Sequence, residues 1–84
     1  MWHIYILKCA DKTFYTGITN DLKRRIWEHN FSPLGAKYTK GRRPAKLIYS
    51  IKLKNRAEAL KEEYRIKQFS RQEKIGLIKT TRIN

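Results

Sequence analysis

With one cysteine in 84 residues, the chain cannot close an internal disulfide or build a thiolate zinc cluster. A reducing, cytoplasmic setting is therefore expected. No uninterrupted apolar run approaches the length of a membrane span, and no segment carries the wide apolar face of an interfacial helix. The opening stretch MWHIYILKC is too short for a secretory core, lacks a basic segment ahead of it and ends without a small-residue cleavage site. Acidic residues are scarce as well. Seven Asp and Glu stand against 20 Lys and Arg, a formal net charge of +13, so the expected partner is a polyanion and not a membrane.

What is present is enough for one small core. Hydrophobic residues make up 40% of the chain and include two Trp, five Tyr and three Phe, which argues against wholesale disorder despite the charge. One domain over residues 1–84 is expected, near the lower size limit at which burial offsets chain entropy without disulfides or metals.

The apolar runs from His3 to Lys8 and from Phe14 to Ile18 are rich in β-formers and joined by a polar stretch with Asp11 and Lys12, which reads as a hairpin. Gly17 within the second run suggests a bulge, or a place where another group, such as a substrate phosphate, approaches the backbone. Asn20 or Thr19 is expected to cap a helix through LKRRIWEH, with Asp21 in its first turn, Leu22 and Ile26 buried, and Arg25 and His29 one turn apart. Between Phe31 and Pro44, two prolines and two glycines mixed with Lys37, Lys40, Arg42 and Arg43 predict a long basic loop. Lys46 to Ile51 reads as a third strand with Leu47, Tyr49 and Ile51 on one face. Asn55 with Glu58 opens a helix through Phe69, and Ser70 with Glu73 opens a last short one. The expected fold is α+β, a three-stranded, mainly antiparallel sheet flanked by helices in the order β-β-α-β-α-α.

Each chemically interesting residue has an ordinary reading. Tyr5 and Tyr15 could be core aromatics, and His29 a surface or capping residue. Glu63 shares a helical stripe with Ala59 and Ile66, while Glu62 points further towards solvent; a partly buried Glu63 could pair with Arg25 or a lysine, or hold a divalent cation. The loop cations Lys37, Lys40, Arg42 and Arg43 could be a solvated surface, or contact phosphates with Tyr38 stacking on a base or supporting the loop. The joint spacing of two hairpin tyrosines, Gly17, Arg25 and His29 favours the functional readings.

That spacing resembles the GIY-YIG nuclease signature. HIY at His3–Tyr5 and YTG at Tyr15–Gly17 look like its two halves, and RRIWEHN places the family arginine at Arg25. The strings YIL, YTG, RR, EHN, GAKYT, GRRP, EAL and IK are similar to those of small stand-alone GIY-YIG proteins of bacteria over nearly the whole chain. The resemblance implies a phosphodiesterase acting on DNA with one Mg2+ or Mn2+ ion. In it, Glu63 of the E-x-x-I-K string is the metal ligand, Arg25 clamps the phosphate, Tyr5 relays or accepts the proton of the attacking water, and Tyr15 completes the hydrogen-bond network. His29 matches a position that is tyrosine in repair endonucleases and histidine in some structure-specific branches. Ionising a tyrosine at neutral pH requires lowering its pKa from about 10 to about 7, roughly 4 kcal/mol that neighbouring cations are expected to supply.

Three positions depart from the family. Ile18 replaces a lysine common in repair enzymes, His3 replaces the motif glycine, and no asparagine follows Glu63 at the family spacing, Asn84 lying too far along. Slow or conditional cleavage, selective for structure such as branched, nicked or single-stranded DNA and not for sequence, is the expectation. The alternative is a non-catalytic module binding DNA or structured RNA; a third reading has a protein partner supply specificity. A monomer or weak dimer is expected in each case.

Overall fold

The computed structural model describes residues 1–80; Asn84 lies outside them. Strands β1 (Trp2–Lys8) and β2 (Phe14–Thr19) form an antiparallel hairpin. Helix α1 (Leu22–Phe31), a single helical turn α2 (Lys37–Lys40), strand β3 (Lys46–Leu53), and helices α3 (Arg56–Lys67) and α4 (Arg71–Thr80) follow. The sheet order is β2-β1-β3, with β3 also antiparallel to β1. The α+β architecture matches the sequence expectation.

Placing the most apolar strand in the centre lets it bury both faces. Ile4 and Ile6 join Tyr49 and Ile66 on one side, where Phe69, between the last two helices, and Leu77 and Ile78 of α4 close over them. Tyr5 and Leu7 face the other way, joining Cys9, Ala45, Tyr15, Leu22 and Ile26 beneath α1. This second face carries the site. Period-two alternation in β1 thus splits one strand between a structural layer and a functional one.

Three local expectations are corrected. Asp21, not Asn20 or Thr19, is the N-cap of α1, accepting from the Arg24 amide; the Thr19 hydroxyl accepts from the Asp21 amide one step earlier. Gly17 makes no bulge, because the β1–β2 register runs unbroken and pairs it with Tyr5. The irregularity lies in β3 instead. There Ile6 pairs with Tyr49 and Leu7 with Leu47, so Ile48 is the extra residue and Leu47 turns to the Tyr5 face, away from Tyr49 and Ile51. The cap of α3 by Asn55 and the reciprocal capping box of Ser70 with Glu73 form as expected.

The segment from residue 32 to residue 45 is far better anchored than its glycines and prolines suggest. Asn30 clamps the backbone of Ala45 with both ends of its amide, accepting from the Ala45 amide and donating to the Ala45 carbonyl. Arg43 donates to the carbonyls of Glu28, His29 and Ser32, closing the C-terminal end of α1. Gly35 lies against the α1 backbone: an added Cβ would sit 2.5 Å from the Glu28 carbonyl oxygen. Gly35→Ala should therefore cost about 1–3 kcal/mol in a urea melt, while Gly41→Ala, which faces open space, serves as a near-neutral control. Equal stability of the two variants would show that Gly35 does not lie against the α1 backbone as described.

Candidate active site

Tyr5 projects from the middle of β1 across Gly17. A Cβ on Gly17 would meet the Tyr5 hydroxyl at 2.6 Å, so glycine is needed to make room for the phenol. The close approach expected at this glycine is made by Tyr5 itself. Tyr5 is 1% exposed, and its hydroxyl lies 2.8 Å from Nε2 of the fully buried His29. Nδ1 of His29 lies 2.8 Å from the hydroxyl of Thr39, also fully buried.

The proton positions in this chain follow from its far end. Thr39 donates its hydroxyl to the Ala36 carbonyl at 2.9 Å, and a carbonyl can only accept. The Thr39 oxygen must then accept from His29, which puts the imidazole proton on Nδ1 and leaves Nε2 as the acceptor for the Tyr5 hydroxyl. A directed path runs from Tyr5 to His29 to Thr39 to the backbone of Ala36. His29 faces Tyr5 as a base, with its tautomer set by α2.

Burial, then the Arg25 and Arg43 charges, lower the His29 pKa from 6.5 to about 4, Glu28 opposing them. The imidazole is neutral at physiological pH. Because the unfolded chain takes up this proton near 6.5 and the folded protein does not, full stability is present above that pH and is lost as pH falls towards 4. The loss should approach about 3 kcal/mol, with His3 acting in the same direction. Chemical denaturation at intervals from pH 7.5 to 4.5 checks this; a flat profile would contradict the buried neutral histidine.

Tyr5 departs from the expectation that its pKa falls. Burial raises it, the neighbouring Tyr15 and the Glu63 charge add to the rise, and Arg25 only partly opposes them. The resting phenol holds its proton firmly. Glu63, on α3, is the smallest of the charges acting on Tyr5 and opposite in sense to Arg25.

Arg25 is half-buried and donates through Nη1 to the Glu28 carboxylate at 2.8 Å and to the Leu34 carbonyl at 2.9 Å. Glu63 keeps 20% of its side chain exposed and pairs with Lys67 at 3.3 Å, one turn on. Glu62 is the more exposed of the two glutamates, as expected, at 29%, and is held by Arg65 in a two-point pair.

Among the described residues no group of three or more His, Cys, Asp or Glu could enclose a metal ion. Two half-buried carboxylates border the site, Glu28, which is held by Arg25, and Glu63, whose partner is the more exposed Lys67. That donor set fits a hard divalent ion of the magnesium kind, which takes one or two carboxylates and completes its shell with water and substrate phosphate. It does not fit an ion held by protein ligands alone.

Tyr15 packs against the other rings and makes no hydrogen bond among the described residues. Its ring lies edge-on to His29 at 5.0 Å and tilted against Tyr38 at 5.7 Å. Tyr38 supports the loop, with the Arg42 guanidinium stacked 4.2 Å from its centre. Arg42 also bridges to Asp11 at 2.9 Å, and Arg43 is turned inward on α1, so these two cations are committed internally. Lys37 and Lys40 remain exposed at the rim.

Sequence reasoning gave no role to Thr39, Gly35 or Asn30. Gly35 and Thr39 stand in the string GAKYT and Asn30 in EHN, but their partners are far along the chain and no spacing rule connects them.

A family model described as the GIY-YIG catalytic domain matches residues 1–75. Relatives include UPF0213 proteins of Desulfotalea psychrophila, 51% identical with 95% of this chain and 73% of the relative covered, and of Staphylococcus saprophyticus, 53% identical with 90% and 92% covered. A UPF0213 protein of Halobacterium salinarum is 48% identical over 92% of this chain and 99% of its own. Among solved structures, the solution structure of a UPF0213 protein from Bacillus halodurans is 41% identical with a TM-score of 0.63, covering 96% of this chain and 86% of that one. A second solution structure, from E. faecalis, is also 41% identical, with a TM-score of 0.65 over 93% and 82%.

Proposed function

This chain belongs to the GIY-YIG catalytic-domain family, and from that premise we propose that it is a DNA endonuclease dependent on Mg2+ or Mn2+, selecting DNA by structure and not by sequence. The observation that carries the reading is the buried, hydrogen-bonded Tyr5–His29–Thr39 path; Arg25 and Glu63 act on its phenol in opposite senses. A structural core needs no hydrogen-bonded tyrosine–histidine pair beside an arginine and a carboxylate.

The chain's residues divide the work. Arg25 has Nη1 committed to Glu28 and Leu34, and the rest of its planar fork can receive phosphate oxygens. Water at the Tyr5 hydroxyl is activated by a relay: Tyr5 takes the water proton as its own passes to Nε2 of His29. The relay avoids a free phenolate, which the raised Tyr5 pKa disfavours, and the charge gained by His29 is transient. Glu63 would hold the divalent ion, releasing Lys67. The ion, when bound, supplies charge neutralisation at the departing oxygen. With its charge so engaged, Glu63 no longer opposes loss of the Tyr5 proton.

The first test is cleavage of labelled single-stranded, nicked, flapped and branched DNAs with Mg2+, Mn2+ or EDTA. Metal-dependent cutting of a subset is the expected result. Binding without cutting under any metal would move the function to a non-catalytic DNA- or RNA-binding module.

A further inference from the structure

The geometry points to a second nucleic-acid subsite, and we propose that the groove between the hairpin turn and the start of β3 seats an unpaired nucleotide flanking the scissile bond; the inference rests on the DNA reading above. The groove has a volume of about 400 Å³, within the range of small-molecule pockets. Lys8, Lys12 and Lys46 stand along it, and its remaining lining is Cys9, Ala10, Pro44 and Ala45, without a carboxylate. The lysines supply a place for phosphates and the small apolar residues a surface for a flat base.

One feature of the lysines is costly without an anion. Lys8 and Lys46 are direct cross-strand partners in the β1–β3 ladder, an opposition of like charges that destabilises a sheet. Asp11, the nearest carboxylate in sequence, is taken by Thr13 and Arg42. A phosphate would relieve the Lys8–Lys46 repulsion, whereas nothing lining the groove does.

The groove continues the site face. Cys9 and Ala45 belong to the same buried cluster as Tyr5, and the Ala10 amide donates to the carbonyl of Arg42, whose guanidinium stacks on Tyr38 beside Tyr15. Cys9 is four residues from Tyr5 along the chain, roughly 13 Å at strand spacing, so the occupant is a neighbour of the reacting phosphate and not that phosphate itself. A paired base is held in its stack and cannot enter; an unpaired one can.

The test is anisotropy of a fluorescent single-stranded oligonucleotide, and of a duplex of equal length, in EDTA across a salt series. The parent is compared with Ala10→Trp, which fills the floor from an exposed position, and with the double variant Lys8→Gln/Lys46→Gln. Ala10→Trp should weaken single-strand binding about tenfold or more and duplex binding little. The double variant should lower the single-strand log–log salt slope by about 1.4 and, without DNA, melt higher than the parent at low salt. Unchanged single-strand binding by Ala10→Trp, or equal weakening of both DNAs, overturns the subsite while leaving the nuclease reading intact. Displacement of the oligonucleotide by polyglutamate at matched charge, with Ala10→Trp without effect, would overturn it in favour of an acidic peptide. A parent that binds neither DNA refutes both proposals.

Discussion

Tyr5→Phe should slow DNA cleavage by about 10²–10⁴-fold while leaving the fold and DNA affinity nearly unchanged. Phenylalanine keeps the ring that packs over Gly17 and beside Tyr15, and removes only the hydroxyl bonded to His29. The His29 Nε2 lone pair then lacks a partner, a local cost that the surrounding core tolerates. Thr39→Val separates the relay from simple packing. It keeps the phenol but takes away the acceptor for the Nδ1 proton, so the imidazole can move its proton to Nε2 and confront Tyr5 as a donor. A loss of about tenfold or more is expected for that variant, accompanied by a changed pH–rate profile. Single-turnover rates under saturating metal distinguish chemistry from binding. If Tyr5→Phe cuts as fast as the parent, Tyr5 does not handle the proton.

Arg25→Lys is the second large effect, a fall of about 10²–10³-fold in the rate of the chemical step. The guanidinium does two jobs at once: Nη1 pairs with Glu28 one turn along and ties α1 to the Leu34 carbonyl, while the rest of the fork can face a phosphate. Lysine offers one compact ammonium and cannot hold Leu34 and a pair of phosphate oxygens together. Affinity should fall far less than rate, since most of the binding charge lies elsewhere on a +13 chain. Measuring DNA binding in EDTA beside single-turnover cleavage separates the two. An Arg25→Lys protein that keeps the parent rate would mean that this position supplies charge alone.

The legible and illegible parts of the site differ by the distance over which their causes act. Tyr5 and Tyr15 could be placed on adjacent strands because alternation is a local property, and Arg25 and His29 on one side of α1 because helical spacing is local too. The function of His29 was not legible. It depends on Thr39, ten positions away and brought near by a one-turn helix inside a segment whose composition reads as loop. Arg43 looked like a phosphate contact because a cation beside glycine and proline is usually exposed; three carbonyls at the end of α1 turn it inward. The face of Leu47 was misread because one bulged residue, Ile48, reverses the alternation, and only the pairing with β1 reveals it. For Glu63 the partial burial was legible from its helical stripe, whereas its resting partner could have been any nearby cation and is Lys67.

Both charged groups are compensated within the protein, Arg25 by Glu28 and Glu63 by Lys67. Such exposed or half-exposed pairs contribute little individually, about 0–1 kcal/mol, and give way readily to a phosphate or a divalent ion.

The most direct measurement is cleavage of a labelled DNA by the parent and by Glu63→Gln, side by side in Mn2+, Mg2+ and EDTA, at protein concentrations that bind the DNA equally. The account predicts cutting by the parent only with a divalent ion, and bound but uncut DNA with Glu63→Gln under every condition. Cutting by the parent in EDTA, or by Glu63→Gln at the parent rate, would contradict it.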